Sequence, residues 1–144
     1  MAGTMKDRFT RFISRANVRV YRTTGGRLWN SMLGMPVLLL TVNGRRTGIA
    51  RTKPVIYFED DGSYVVVGSL GGEPTEPLWF RNLRAASTAA VQVGARTTDV
   101  DVLVVEGEER ERLWKKATEL ASFFTAYQAR TDRVFPLARL TPRA

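Results

Sequence analysis

Three runs of strand-forming residues joined by two tight turns constrain the fold of this chain more than any other feature. Val37 to Val42 is apolar and β-branched, and the Asn43-Gly44 that follows is a dipeptide that readily reverses a strand. Ile49 to Phe58 continues the pattern. Asp60-Asp61-Gly62 turns the chain again, and Ser63 to Ser69 returns through Tyr64-Val65-Val66-Val67. The result is a three-stranded antiparallel meander. Pro54 has no N–H to give to a ladder, so the middle strand has an edge or a bulge at that point.

Elements on both sides extend the meander. A short helix is expected over Pro77 to Ala86, with Leu78, Trp79 and Leu83 spaced to bury one face. Ala89 to Gly94 and Thr98 to Val105 read as two more strands, the second alternating Val100, Val102 and Val104 with Asp99, Asp101 and Leu103. Glu106 to about Arg130 reads as one long helix, acidic at its start, with Leu113, Ala117, Leu120, Ala121 and Phe124 at helical spacing. Val134 to Leu140 closes the chain as a strand.

Ahead of the meander, residues 5–22 form an amphipathic pattern. At about 100° per residue, Phe9, Phe12, Ile13, Ala16 and Val20 share one arc, while Arg8, Arg11, Arg15, Arg19 and Arg22 share another. Such a helix either lays its apolar stripe on the core with a solvated arginine face, or lies on an anionic lipid surface. Thr23-Thr24-Gly25-Gly26 ends it, and Arg27 to Met32 reads as a second short helix before Gly34-Met35-Pro36. The expected class is therefore α+β or mainly β: an antiparallel split or closed β-barrel with helices packed outside it and an N-terminal amphipathic helix. Residues 1–144 read as a single domain, with 1–33 as a helical N-terminal extension.

Composition removes several chemistries. The chain has no Cys and no His, so disulfides, thiolate nucleophiles, Ser-His-Asp triads and imidazole-ligated metals are all excluded. Asp60-Asp61-Gly62 reads as a turn, and Glu106, Glu108, Glu109 and Glu111 suit a helix N-terminus, so no metal site is expected. No apolar run reaches the roughly eighteen residues of a membrane span, and the arginines of residues 5–22 are interleaved with apolar residues rather than placed ahead of a secretory block. The cytoplasm is the expected compartment, peripheral to the inner face of the membrane if residues 5–22 bind lipid. A net charge of +8 implies attraction to something negative, concentrated in the N-terminal third and around Arg45 to Lys53.

The chemistry-bearing segments lie about twenty residues apart. Asn43-Gly44-Arg45-Arg46-Thr47-Gly48, followed by Arg51-Thr52-Lys53-Pro54, places four cations in and just after a tight turn, where their donors can converge on a phosphate or a run of carboxylates. Gly68-Ser69-Leu70-Gly71-Gly72 ends a strand and brings N–H groups and a hydroxyl to a barrel mouth; Pro77-Leu78-Trp79-Phe80-Arg81-Asn82-Leu83 follows it. Taken singly, the basic stretch reads more readily as a solvated turn than as an anion site, and the glycine pair as only a turn. Together, over about residues 36 to 140, they resemble the deazaflavin-dependent nitroreductase and quinone reductase family, whose members use coenzyme F-420.

The resemblance implies that Arg45, Arg46, Thr47 and Arg51 hold the phosphate and polyglutamate tail. It also implies that Pro54, Val67, Gly68, Ser69, Gly71, Gly72, Trp79 and Asn82 surround the cofactor. Ser69 is implied near the reactive edge, and Tyr127, ahead of Thr131-Asp132-Arg133, as proton donor or substrate positioner. Leu70 stands where relatives can carry a lysine. Ala121, Phe123 and Phe124 replace a tyrosine-rich acceptor pocket with an apolar one. The implied reaction is hydride transfer from the reduced deazaflavin to a quinone or a nitro compound. Alternatives are a split barrel that binds the cofactor without turnover, with Phe123, Phe124 or Trp114 closing the pocket; an FMN-dependent reductase; and a basic nucleic-acid-binding barrel using Tyr57 and Tyr64, though the basic turn has no interleaved aromatics and no nucleic acid is expected. Barrels of this kind often pair, so a homodimer is a further expectation.

Overall fold

The computed structural model describes residues 18–26, 31–69 and 75–143. Within them, one antiparallel sheet contains β1 (Ser31–Met32), β2 (Met35–Asn43), β3 (Ala50–Asp60), β4 (Ser63–Val67), β5 (Thr88–Val93), β6 (Arg96–Val104) and β7 (Leu137–Pro142). The order is β1-β2-β3-β4-β7-β6-β5, and β5 pairs back onto β2. Strands β2 to β7 thereby close a six-stranded barrel, with β1 as a short addition to β2. Residues 18–23 form helix α1; α2 (Leu78–Ala85), α3 (Gly107–Leu120) and α4 (Phe123–Gln128) follow.

Period-2 alternation sorts the strand side chains into two cores. Leu38, Leu40, Val42, Val55, Tyr57, Val66, Val91, Val100, Ala138 and Leu140 fill the barrel, joined by Phe80 and Leu83 from α2. Phe58, Val65, Val67 and Leu137 point the other way and meet Leu113, Ala117, Ala121 and Phe124 of the α3–α4 segment, together with Phe135. Each fully buried Leu, Val or Phe here contributes roughly 1.5–3 kcal/mol. On another side, the buried Tyr21 hydroxyl of α1 donates to the Gln92 carbonyl at 3.2 Å and accepts from the Gly94 N–H at 2.8 Å, tying α1 to the β5–β6 turn. Burial raises the Tyr21 pKa, and the Gly94 N–H offsets part of the rise.

The meander forms as its sequence requires. At its second turn, Asp61 and Gly62 adopt φ of 52° and 76°, the two left-handed residues of a hairpin turn. Pro54 sits opposite Leu39 of β2, and β3 pairs with β4 only from Tyr57 onward. Among the described residues, the first half of β3 is therefore paired on one side alone, and the proline lies in that edge portion.

Four sequence expectations are corrected. Ser31–Met32 is a strand rather than the end of a helix, so residues 1–33 are not wholly helical; Arg27 to Asn30 and residues 1–17 lie outside the described residues. Leu78 is 64% exposed, and the buried face of α2 is Phe80, Asn82 and Leu83. The long late helix breaks at Ala121, whose backbone is extended at φ −149° and ψ 109°, and α4 starts two residues later. The last strand begins at Leu137, because Val134 to Pro136 approach it without joining the ladder.

The β3–β4 turn also carries a charged hub. Asp60 is 6% exposed and receives Arg112 at 3.1 and 2.8 Å, Lys116 at 3.0 Å and Arg139 at 2.7 Å. Glu109 accepts from Arg112 and Arg139 as well. The Arg112 and Arg139 hydrogen bonds hold the Asp60 carboxyl far below the usual carboxylate range. This network joins the turn, α3 and β7.

Candidate functional site

Helix α2 draws the separated motifs together. Its Asn82 side-chain oxygen, buried at the helix base, accepts from the Arg45 N–H at 3.1 Å and from the Arg45 guanidinium at 3.1 Å. The basic turn is closed internally by Gly44 N–H to Ile49 O at 2.9 Å and Gly48 N–H to Gly44 O at 2.8 Å. Arg45, Arg46, Thr47 and Arg51 are all exposed, which leaves guanidinium donors open to an anion. Arg51 pairs with Val42 and Lys53 with Leu40, so both stand on the inward-facing side of β3, beyond the filled part of the barrel. Pro54 faces the opposite side.

The same helix meets the end of β4. A Cβ on Gly68 would lie 2.9 Å from Pro136 Cγ and 3.0 Å from the Phe80 ring, so only glycine lets α2 approach the strand this closely. The Gly68 N–H is held by the Pro136 carbonyl at 2.8 Å. Ser69 is buried, and its hydroxyl makes no hydrogen bond among the described residues. The Val67 side chain enters the core under α3 and α4, so only its main chain is available to a ring in the mouth. Gly71, Gly72 and Leu70 lie outside the described residues. Trp79 is half-buried, with its ring 5.4 Å from Phe80.

Tyr127 reaches the same region through a loop. It is half-buried on α4, its ring 5.5 Å from Phe123, with the Arg130 guanidinium over its face at 5.5 Å. Beyond it, Gln128 Nε2 donates to the Thr131 carbonyl at 3.2 Å and the Arg133 carbonyl at 2.7 Å. Arg133 then donates to the Gly68 carbonyl at 2.9 Å and the Ser69 carbonyl at 2.8 Å, resting 4.8 Å above the Phe135 ring. Sequence reasoning did not single out Arg133 as a functional residue. The signal that could have found it is an arginine two residues before a buried aromatic and three before a proline, at the start of a strand.

The acceptor pocket differs from its expected lining. Ala121 and Phe124 are buried in the core shared by α3, α4 and the sheet, and Trp114 packs between Phe124 and Phe135 at 6.1 and 5.8 Å. Only Phe123 remains beside Tyr127 as a half-buried aromatic. Tyr57 is buried and meets Tyr64 edge-on at 5.5 Å, which is not an exposed stacking platform for bases. Among the described residues, no group of three or more Asp or Glu is placed to hold a metal.

The exposed arginines of the basic turn, a close glycine, a hydroxyl with no partner among the described residues and a half-paired strand thus border one end of a closed barrel. The family model for F420H(2)-dependent quinone reductase matches residues 13–142. The chain belongs to the F420H(2)-dependent quinone reductase family. It is 36% identical over 128 residues to such a reductase of Mycobacterium tuberculosis, covering 86% of each chain. Among solved structures, a reductase dependent on reduced F-420 is 38% identical, covers 73% of this chain and 93% of its own, and superposes with a TM-score of 0.67. A second solved relative, described as a domain-swapped dimer, is 32% identical, covers 91% of this chain and 98% of its own, and gives a TM-score of 0.69. The quinone reductase family is one of oxidoreductases, and its fold is the antiparallel barrel with outer helices found in this chain.

Proposed function

We propose that this protein uses coenzyme F-420 to reduce a quinone, with the cofactor at the barrel end bordered by the Gly44–Gly48 turn, Gly68–Ser69 and α2. The observation that carries this reading is the tie from Asn82 to Arg45, which holds the basic turn beside the helix that also packs on Gly68. The residues present suit the group. Exposed Arg45, Arg46 and Arg51 match its acidic tail, and the inward side of β3 with the Ser69 hydroxyl suits a flat ring rich in hydrogen-bonding groups.

Bound in its reduced form, the cofactor supplies a hydride to the acceptor. The chain does the rest. Arg45, Arg46, Thr47 and Arg51 would hold the tail, and the main chain from Val67 to Ser69 together with Trp79 would border the ring; Pro54, on the opposite face of β3, would support the strand rather than touch the ring. Quinone plus hydride needs one proton to become hydroquinone, and the Tyr127 hydroxyl or Ser69 hydroxyl delivers it from solvent.

The acceptor is a quinone rather than a nitro compound, in keeping with the apolar Phe123 beside Tyr127. The protein acts as one domain over residues 1–144 in the cytoplasm, drawn to the inner face of the membrane by Arg19 and Arg22 of α1, which are exposed, and by the arginines that precede them in the sequence. No described helix is long and apolar enough to cross a membrane. A solved relative being a domain-swapped dimer supports pairing of two copies. Anaerobic mixing of the protein with reduced F-420 and menadione tests the main reading, with FMN in parallel. Protein-dependent reoxidation of F-420 supports it. Turnover with FMN alone, or none with either, overturns it. Co-sedimentation with anionic liposomes tests the membrane role, and equal recovery in the supernatant with and without lipid removes it.

A further inference from the structure

Two consecutive carbonyls of a β-strand point to opposite sides, yet the Gly68 and Ser69 carbonyls both accept from one guanidinium, at 2.9 and 2.8 Å. A single planar fork reaching both oxygens turns the chain out of the strand immediately after Val67, where the β4 ladder ends. With the Gly68 N–H committed to the Pro136 carbonyl, the main chain of residue 68 has no freedom left. What remains at the end of β4 is the Ser69 hydroxyl, which makes no hydrogen bond among the described residues and, on a largely buried residue, keeps its oxygen accessible.

The guanidinium is itself fixed. It rests on the Phe135 ring at 4.8 Å, while the Arg133 main chain is held at both ends: its N–H donates to Thr131 Oγ1 at 3.2 Å and its carbonyl accepts from Gln128 Nε2 at 2.7 Å. Gln128 is the residue after Tyr127, so one loop carries the tyrosine at one end and the fork at the other. A short chain of covalent and charge-assisted links therefore joins Tyr127 to the end of β4, which would border the ring. Burial lowers the Arg133 pKa from an arginine's usual value, and nearby Glu76 acts the other way, so the group stays charged at neutral pH.

We propose that Arg133 is a positioning residue of the reductase: by binding both carbonyls it aims the Ser69 hydroxyl into the cofactor site, and through Gln128 it fixes the distance from that hydroxyl to Tyr127. The proposal rests on the F-420 reading of the site. Arg133 touches neither cofactor nor acceptor; it acts through Ser69.

A double-mutant cycle on F-420 binding, read by cofactor fluorescence without turnover, tests it. Ser69→Ala should weaken binding about tenfold in the wild-type background. Arg133→Lys keeps the charge and loses the fork; it should weaken binding by a similar factor, and Ser69→Ala on top of it should cost less than about twofold more. Thermal unfolding of the free protein, followed by circular dichroism, separates this from general destabilisation. Gln128→Met, which leaves the guanidinium in place and releases its loop, is the second variant and should also shrink the Ser69→Ala effect, so the test stands even if Arg133→Lys does not fold. Additive penalties in both backgrounds would overturn the proposal while leaving the cofactor reading intact. Absence of F-420 binding by the wild-type protein would instead remove the reading on which it rests.

Discussion

Replacing Asn82 by alanine separates a residue that touches the cofactor from one that shapes its site. The substitution deletes an oxygen accepting two hydrogen bonds from Arg45, one from the N–H and one from the guanidinium, each 3.1 Å long. A neutral hydrogen bond contributes about 1 kcal/mol and one to a charged group about 1.5–3 kcal/mol. Arg45 is exposed and its guanidinium rehydrates, so the charged bond counts near its lower limit. The expected cost is about 2 kcal/mol, which for a chain of this size lowers Tm by roughly 4–8 °C. The larger consequence is functional. A turn released from α2 must be ordered again when the acidic tail binds, at about 1–2 kcal/mol per residue fixed. One or two residues suffice to weaken F-420 binding by roughly tenfold to a hundredfold, with less change in kcat at saturating cofactor. Fluorescence titration of the variant measures this directly. Asn82→Asp keeps the acceptor oxygen and should recover most of the affinity. Unchanged affinity in Asn82→Ala, or no recovery in Asn82→Asp, refutes the role of this contact.

Other substitutions probe the frame and the chemistry. Asp60→Asn should destabilise the protein by roughly 2 kcal/mol, below the roughly 3–5 kcal/mol of a fully buried ion pair, because Arg112 and Lys116 are partly exposed and Arg139 keeps Glu109. Since the folded-state pKa of Asp60 is depressed, its contribution is complete above the unfolded value near 4 and fades as pH falls below it; urea unfolding should show the gap between wild type and variant closing under acid, and a gap that widened would contradict the hub. Gly68→Ala should cost about 1–2 kcal/mol, the overpacking against Phe80 and Pro136 exceeding the roughly 0.5 kcal/mol gained from a stiffer unfolded chain, and a Tm equal to or above wild type would show that α2 can move aside. Tyr127→Phe should lower kcat for menadione by about 10-fold or more with little change in F-420 affinity, and unchanged turnover and acceptor KM would remove Tyr127 from the mechanism.

Local chemistry explains which parts of the fold the sequence reveals. The meander is legible because its turns are encoded by residues that tolerate left-handed φ, Asp61 and Gly62 among them, and because apolar runs leave no other period. The basic turn, Gly68–Ser69 and α2 are legible as a set because each depends on residue types with few substitutes. The break in the late helix is not legible. Leu113, Ala117, Ala121 and Phe124 step by helical intervals and all reach one core, so periodicity reads continuous helix where Ala121 is extended. Local pattern records which residues are buried, not whether the axis bends between them.

Long-range pairs are invisible for a related reason. Asn82 reads as a cofactor contact in a motif, and its oxygen is instead committed to Arg45, 37 residues away. Arg133 reaches carbonyls more than 60 residues back, and Asp60, legible only as a turn residue, gathers Arg112, Lys116 and Arg139. Leu78 was expected to be buried by its spacing alone, whereas the packed face of α2 is set by the barrel interior and the strand at Gly68.

The central claim is that the basic turn beside α2 holds coenzyme F-420. It is tested most directly by fluorescence titration of F-420 into the wild-type protein and into a triple variant with Arg45, Arg46 and Arg51 each changed to Gln. The account predicts saturable binding by the wild type, weakened at least about a hundredfold in the triple variant with Tm little changed, since all three side chains are exposed. Equal binding by both proteins, or none by the wild type, would contradict it.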